Sequence, residues 1–241
     1  MQSAAAPDLL RLDGVDAFYG RAHILFGLGF SVRPGEVTAL IGRNGAGKST
    51  TLKTIIGLVP AAAGTIEYGG RPIGGLPAHV IARLGLGYVP EDRRIFTELS
   101  VMENLEVGRQ PPRAGAPVWT AERLFELFPN LGRMRGRPGG RMSGGEQQML
   151  TIARTLMGNP AMILLDEPSE GLAPVIVEQM ALAIRSLKAE GLTVLLSEQN
   201  LHFAREVADR AVVIEKGRAR YQGTMAELTA DAAVREQYLT V

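Results

Sequence analysis

At 241 residues the chain is long enough for one large domain with a sizeable core, and 46% of it is hydrophobic. Its 26 Lys and Arg against 25 Asp and Glu leave a net charge of +1, which gives no reason to expect a nucleic acid partner. The absence of cysteine excludes disulfide frameworks and cysteine-based metal or nucleophile sites, and no stretch approaches the roughly 18 apolar residues of a membrane span.

Met1 to Pro7 has neither a basic n-region nor an apolar h-region, so no signal peptide is expected; residues 1–7 read as a disordered tail before a domain at 8–241. Leu9–Leu12 and Ile24–Val32 read as strands joined by a turn around Gly20. Pro34-Gly35 is a turn into the apolar, β-branched run Val37–Ile41. A glycine-rich octet follows, and Thr50 to Gly57 reads as a helix closed by glycine. Thr65–Tyr68 and Gly85–Val89 are further strands, the second ended by Pro90. After Glu91 the pattern turns helical, with a capping box at Ser100–Glu103, helical spacing from Thr120 to Phe128, and a loop at 110–117. Ser143–Glu146 is a second capping box, heading a helix to about Met157 with Met149, Ile152, Ala153 and Leu156 on one face. Strands at Ala161–Leu165, Thr193–Leu196 and Ala211–Ile214 then alternate with helices at Pro174–Ala189 and Leu201–Ala208. Such alternation predicts a parallel sheet with helices on both faces, here an α/β core interrupted by a helical insert at about 95–157.

Two stretches carry chemistry by themselves. Gly42-Arg43-Asn44-Gly45-Ala46-Gly47-Lys48-Ser49 fits the phosphate-loop pattern, between a strand and a helix as that pattern requires. The first N–H groups of such a helix lack internal partners and favour an anion, with Lys48 reaching the β and γ phosphates and Ser49 ligating Mg2+. Met162–Leu165 then delivers Asp166 and Glu167 to a strand end, where ligands bind in open α/β sheets. There Asp166 would hold Mg2+ opposite Ser49, and Glu167 would polarise the attacking water. The helix start at Ser143-Gly144-Gly145-Glu146 is a second anion-binding candidate. No Asn-Lys-x-Asp guanine-reading motif is present, which favours ATP over GTP.

Gly42–Ser49, Ser143–Gln147 and Leu164–Pro168, in this order and spacing, resemble the ATP-binding subunits of ABC transporters over about Leu9 to Leu239. The resemblance implies a P-loop ATPase core with an antiparallel β subdomain and an inserted helical subdomain. It further implies two such domains meeting head to tail, ATP lying between the phosphate loop of one, through Thr50, and Ser143–Glu146 of the other. Tyr19 corresponds to the aromatic residue that stacks on adenine. Three positions depart from the common pattern: Glu91 stands where glutamine usually contacts the metal, Ala173 where aspartate is usual, and Gln199 in place of the switch histidine. Gln199 can donate a neutral hydrogen bond to a γ-phosphate but cannot be cationic. His202 is close by at the wrong offset and reads as a helix residue.

Together with Val89–Phe96 and Gly171–Pro174, these departures look like the smaller ATPase subunit of branched-chain amino acid importers, whose relatives serve urea, short amides or aromatic acids. That resemblance implies ATP, Mg2+, two permease subunits, a homologous ATPase subunit and, indirectly, a solute-binding protein. The expected place is the cytoplasmic face of the bacterial inner membrane. Glu170 is off the subgroup's usual apolar residue. Ile95, Phe96, Leu99 and Val101, beside Arg93 and Arg94, are candidates for a permease groove. Arg133, Arg135, Arg137 and Arg141 read as a solvated face. Two other classes compete. A DNA-associated ABC ATPase needs a long coiled coil between loop and signature, but only 94 residues lie between Lys48 and Ser143, without sustained heptads. A lipid or lipopolysaccharide exporter subunit would be favoured by histidine at 199.

Overall fold

The computed structural model describes residues 7–230. All of the expected tail but Pro7 lies outside them. The chain starts with the hairpin β1 (Leu10–Tyr19) and β2 (Ala22–Val32), then β3 (Val37–Ile41) and α1 (Lys48–Ile55). Next come β4 (Ala61–Tyr68), β5 (Arg71–Pro72), α2 (Ala78–Arg83) and β6 (Leu86–Val89). Four helices follow: α3 (Val101–Gly108), α4 (Ala121–Leu127), α5 (Pro129–Arg133) and α6 (Gly144–Leu156). The chain then alternates through β7 (Met162–Asp166), α7 (Pro174–Ala189), β8 (Thr193–Glu198) and α8 (Leu201–Val207), ending in β9 (Arg210–Glu215), β10 (Arg218–Thr224) and α9 (Met225–Ala230).

The strands form two sheets. A four-stranded antiparallel sheet has the order β2-β1-β4-β5, and a six-stranded sheet the order β10-β9-β3-β8-β7-β6. In the larger sheet β9, β3, β8, β7 and β6 run parallel, and β10 closes one edge antiparallel to β9. Every residue of β3, β7 and β8 is buried, as expected of central parallel strands covered on both faces. Alternation along these strands divides the core. Leu40, Leu164, Leu195 and Val212 join Leu52 and Ile55 of α1 and the inner face of the antiparallel sheet. Ala39, Ile163, Leu165, Val194, Leu196 and Val213 face the opposite way, toward α6, α7 and α8.

Helix α6 is fixed at its start by chemistry legible in the sequence. Ser143 Oγ accepts the Glu146 amide, and the Glu146 carboxylate accepts the Ser143 amide. Its face of Met149, Ile152, Ala153 and Leu156 is buried in the same cluster as α3, α4 and the sheet. Two expectations change. Helix α1 starts at Lys48 instead of Thr50, so Lys48 and Ser49 lie in its first turn. Val101 is fully buried and Ile95 packs on the core, so neither lies in an open groove. The short elements β5, β10, α2, α5 and α9 have no counterpart in the sequence reading. Among the described residues no helix is long and apolar enough to cross a membrane.

Candidate functional site

The loop between β3 and α1 is shaped by glycines, of which Gly42 and Gly47 have no room for a side chain. A Cβ on Gly42 would sit 2.4 Å from the Ile214 carbonyl oxygen. Gly47 caps α1 at φ 107°, and a Cβ there would meet Leu25 at 2.9 Å. The turn between β9 and β10 braces the loop: the Gly217 amide donates to the Ala46 carbonyl at 2.8 Å, and the Gly217 carbonyl accepts from Phe26 at 3.0 Å. A Cβ on Gly217 would fall 1.9 Å from the Ile24 oxygen, which ties the antiparallel sheet, the turn and the loop into one rigid seat.

Lys48 is 3% exposed and its ammonium is fully engaged. It donates to the Gly42 carbonyl at 2.9 Å and the Arg43 carbonyl at 3.3 Å, and pairs with Glu167 Oε1 at 3.0 Å. Glu167, 7% exposed, stands directly after β7 with φ 46°, in the left-handed region that costs a non-glycine residue energy. Its amide is held by Ser197 Oγ at 3.0 Å, and Gln199 Nε2 donates to its other oxygen at 3.4 Å.

Asp166 is fully buried at the end of β7. Ser49 Oγ and Ser197 Oγ donate to its Oδ1 at 2.8 and 2.7 Å, and the Tyr88 hydroxyl to its Oδ2 at 3.2 Å. Burial, and after it the Asp166 charge, raise the Tyr88 phenol far above its ordinary pKa, so it stays a neutral donor. Glu198, at the end of β8, is buried with Oε1 on the Ser169 amide and Oε2 on the Asn200 amide, and burial pushes its carboxyl up.

Lys48 and Glu167 open into a cleft of about 380 Å³. Gly45, Gly47, Lys48, Ser49 and Thr50 line it together with Asn44 and Ile24. Glu91, Glu167 and Glu170 line it too. Glu170 is exposed at the mouth, and its carboxyl is raised to about 7, first by sharing a hydrogen bond with Glu167, then by desolvation and by the negative charge of Glu167, Glu91 and Glu198. Tyr19, at the end of β1, is 47% exposed. Gln199 is exposed beside Glu167. Ser143 and Gly144 do not line the cleft of their own chain; Ser143 is exposed at the start of α6. His202 is exposed on α8 and lies 3.4 Å from Glu206 one turn on, as a helix residue would.

A larger groove of about 620 Å³ lies elsewhere, between α2, β6, the end of α3 and α6. Leu58, Phe96 and Val107 are exposed along it, and Arg154 lines it with its guanidinium 5.0 Å from the Phe96 ring. Of the residues expected to form a groove only Phe96 does so; Arg94 pairs with Asp92 instead. The anion site belongs to the smaller cleft, because there a buried ammonium, the N-terminus of a helix and carboxylates converge.

Sequence reading missed Ser197, Tyr88 and Glu198. Ser197 was findable: it faces Asp166 in the parallel register of β8 and β7, at the strand ends where ligands bind.

A rigid glycine seat that leaves helix N–H groups unpaired, with a lysine over it and a carboxylate pair at the next strand's tip, suits a polyphosphate and its hydrolysis. The fold and cleft therefore define a P-loop nucleotide-binding ATPase. More narrowly, the chain belongs to the ABC transporter family, whose sequence profile matches residues 25–170. It is 45% identical over 231 residues to the high-affinity branched-chain amino acid transport ATP-binding protein BraG of Pseudomonas aeruginosa, covering 96% of this chain and 99% of that one. The lipopolysaccharide export system ATP-binding protein LptB of Escherichia coli is 37% identical, covering 92% and 93%. Among solved structures, a nucleotide-free ATP-binding cassette from an ABC transporter matches with a TM-score of 0.82 at 27% identity, covering 95% and 98%. The ADP conformation of the cassette MJ1267 matches at 0.80 and 28%, covering 96% and 98%.

Proposed function

We propose that this chain is the ATP-hydrolysing subunit of an importer for branched-chain amino acids. The observation that carries the substrate class is the 45% identity to BraG over nearly the whole of both chains, against 37% to the lipopolysaccharide exporter subunit. Gln199, in place of a switch histidine, supports the same choice. Urea, short amides or aromatic acids are the alternative cargo.

Nucleotide phosphates displace Glu167 from Lys48, and the freed carboxylate, steered by the Gln199 amide, accepts a proton from the attacking water. Ser49 and Asp166, 2.8 Å apart, and Glu91 at the rim are hard oxygen donors of the kind that fit Mg2+. When bound there, the ion neutralises charge on the β and γ phosphates. Tyr19 stacks on the base from the tip of the β1–β2 hairpin. A second, homologous ATPase subunit supplies its own Ser143–Glu146 helix start to the γ-phosphate, which explains why Ser143 faces solvent in a single chain.

The apolar groove beside Phe96 receives a cytoplasmic loop helix of one of the two permease subunits, and a solute-binding protein acts through them. On this reading the chain works peripherally on the cytoplasmic face of the bacterial inner membrane, without nucleic acid. The test is purification from membranes. Two permease chains should accompany the subunit, and the reconstituted complex should take up leucine, isoleucine or valine with ATP. Uptake of urea or amides alone moves the reading to the alternative cargo, and lipid extraction without uptake refutes import.

A further inference from the structure

Three segments meet at the end of β8. The Glu198 carbonyl accepts the Gly42 amide of the phosphate loop at 3.3 Å. The Glu198 side chain, 1% exposed, accepts the Ser169 amide on Oε1 and the Asn200 amide on Oε2, each at 3.2 Å. One carboxylate therefore ties the turn after β7, which carries Glu167, to the turn before α8, which carries Gln199.

Packing does not account for a charge at this place. Both oxygens accept, as those of an ionised carboxylate do, yet among the described residues no Lys, Arg or His pairs with Glu198. Burial raises its pKa, against the lowering by hydrogen bonds from Ser169 and Asn200. A buried charge met only by neutral donors is a cost to folding. What the carboxylate does supply is two acceptors on one short group, which glutamine cannot, since one of its two terminal atoms is a donor. The turn it holds is strained, with Glu167 at φ 46° and its amide held by Ser197 Oγ at 3.0 Å. The bond to Ser169 pins the same turn two residues further on. On the other side Asn200 caps α8, its Oδ1 accepting the Phe203 amide at 3.1 Å. Gln199 thus lies between two fixed residues, with Nε2 3.4 Å from Glu167 Oε2.

We propose that Glu198 is a positioning residue for hydrolysis: by locking those two turns together it keeps the Gln199 amide and the Glu167 carboxylate aligned for the attacking water. Glu198 does not line the cleft, so it acts through both. This rests on the reading of Glu167 as proton acceptor, and adds the group that holds the acceptor in line. A displacement of about 1 Å at such a pair slows chemistry by about a hundredfold, while binding, which Lys48 and the phosphate loop carry, stays in place.

The experiment follows turnover in the assembled transporter and binding and stability in the purified chain. Glu198→Gln keeps the shape but gives up one of the two amide partners. Its kcat should fall by about ten- to a hundredfold, with ATP affinity in calorimetry within about twofold of the parent. Its melting temperature should stay within about 4 °C, because the lost hydrogen bond and the removed buried charge oppose each other. In a Glu167→Gln background, where no carboxylate remains to be aligned, adding Glu198→Gln should change the residual turnover by less than about twofold. An unchanged kcat overturns the proposal, and so does a full, additive loss in the Glu167→Gln background. A larger fall in melting temperature, or a chain that no longer folds, assigns Glu198 to packing and overturns it too. Weakened ATP affinity at unchanged kcat puts the effect at Gly42 and the phosphate loop, against the proposal. Full turnover by Glu167→Gln alone strikes the underlying reading of the proton acceptor, and the proposal falls with it.

Discussion

The contact between Lys48 and Glu167 sets up a competition that a single substitution exposes. With Nζ and Oε1 3.0 Å apart and both side chains nearly buried, the pair has little solvent screening. At an effective dielectric near 20 the attraction over that distance is about 5 kcal/mol. Glu167→Gln removes the charge but keeps a neutral acceptor worth about 1 kcal/mol, and relaxation of the site consumes much of the rest. A gain of about 1–2 kcal/mol for a phosphate arriving at Lys48 is then expected, so ATP affinity rises by roughly tenfold. Turnover moves the other way and falls by about 10²–10⁴-fold, because the proton acceptor is lost. Titration calorimetry of the purified chain with ATP, beside a phosphate-release assay of the assembled transporter, measures both. A variant that binds ATP no more tightly than the parent refutes the idea that Glu167 holds the lysine against the nucleotide, whatever its turnover.

Four further outcomes follow from the same geometry. Lys48→Ala should lose ATP binding by about a hundredfold or more in the same calorimetric titration, since two carbonyls and Glu167 are left facing the phosphates without a cation. Gly42→Ala places a methyl group 2.4 Å from a backbone oxygen, so thermal unfolding should show a loss of about 1–3 kcal/mol together with weaker nucleotide binding. Tyr19→Ala should raise KM for ATP by about two- to tenfold at unchanged kcat, and Tyr19→Trp should retain affinity. Glu170 has its folded pKa raised from 4.5 to about 7, so the folded chain binds the extra proton between those values. Stability therefore falls as pH rises from 4.5 to about 7 and levels off above; melting temperatures of Glu170→Gln should lack that part of the slope.

Much of this was legible in the linear chain, and the reason differs from element to element. The strand at Val37–Ile41, the helix at Pro174–Ala189 and both capping boxes follow from neighbours a few residues apart, and the structure has each of them. Short elements such as α2 and β10 escaped because six or seven residues carry too little periodicity; β10 is held by pairing with β9, and its turn by the phosphate loop. The groove was half misplaced for a similar reason. Phe96 and Val101 look alike as letters, yet Asn104 grips the backbone at Phe96 and Leu99 while Val101 turns into the core.

By itself the sequence determined the alternating α/β plan, the phosphate loop, the Asp-Glu pair and the family, because each is written in contiguous residues whose backbone geometry or chemistry is local. Only the tertiary structure decided that Lys48 holds Glu167, that Tyr88 and Ser197 share Asp166, that Gly217 braces the loop, and that Glu170 stands among three carboxylates. Those facts depend on which strand ends lie side by side. Electrostatic and steric forces act across a few ångströms of space, whatever number of residues separates the groups along the chain.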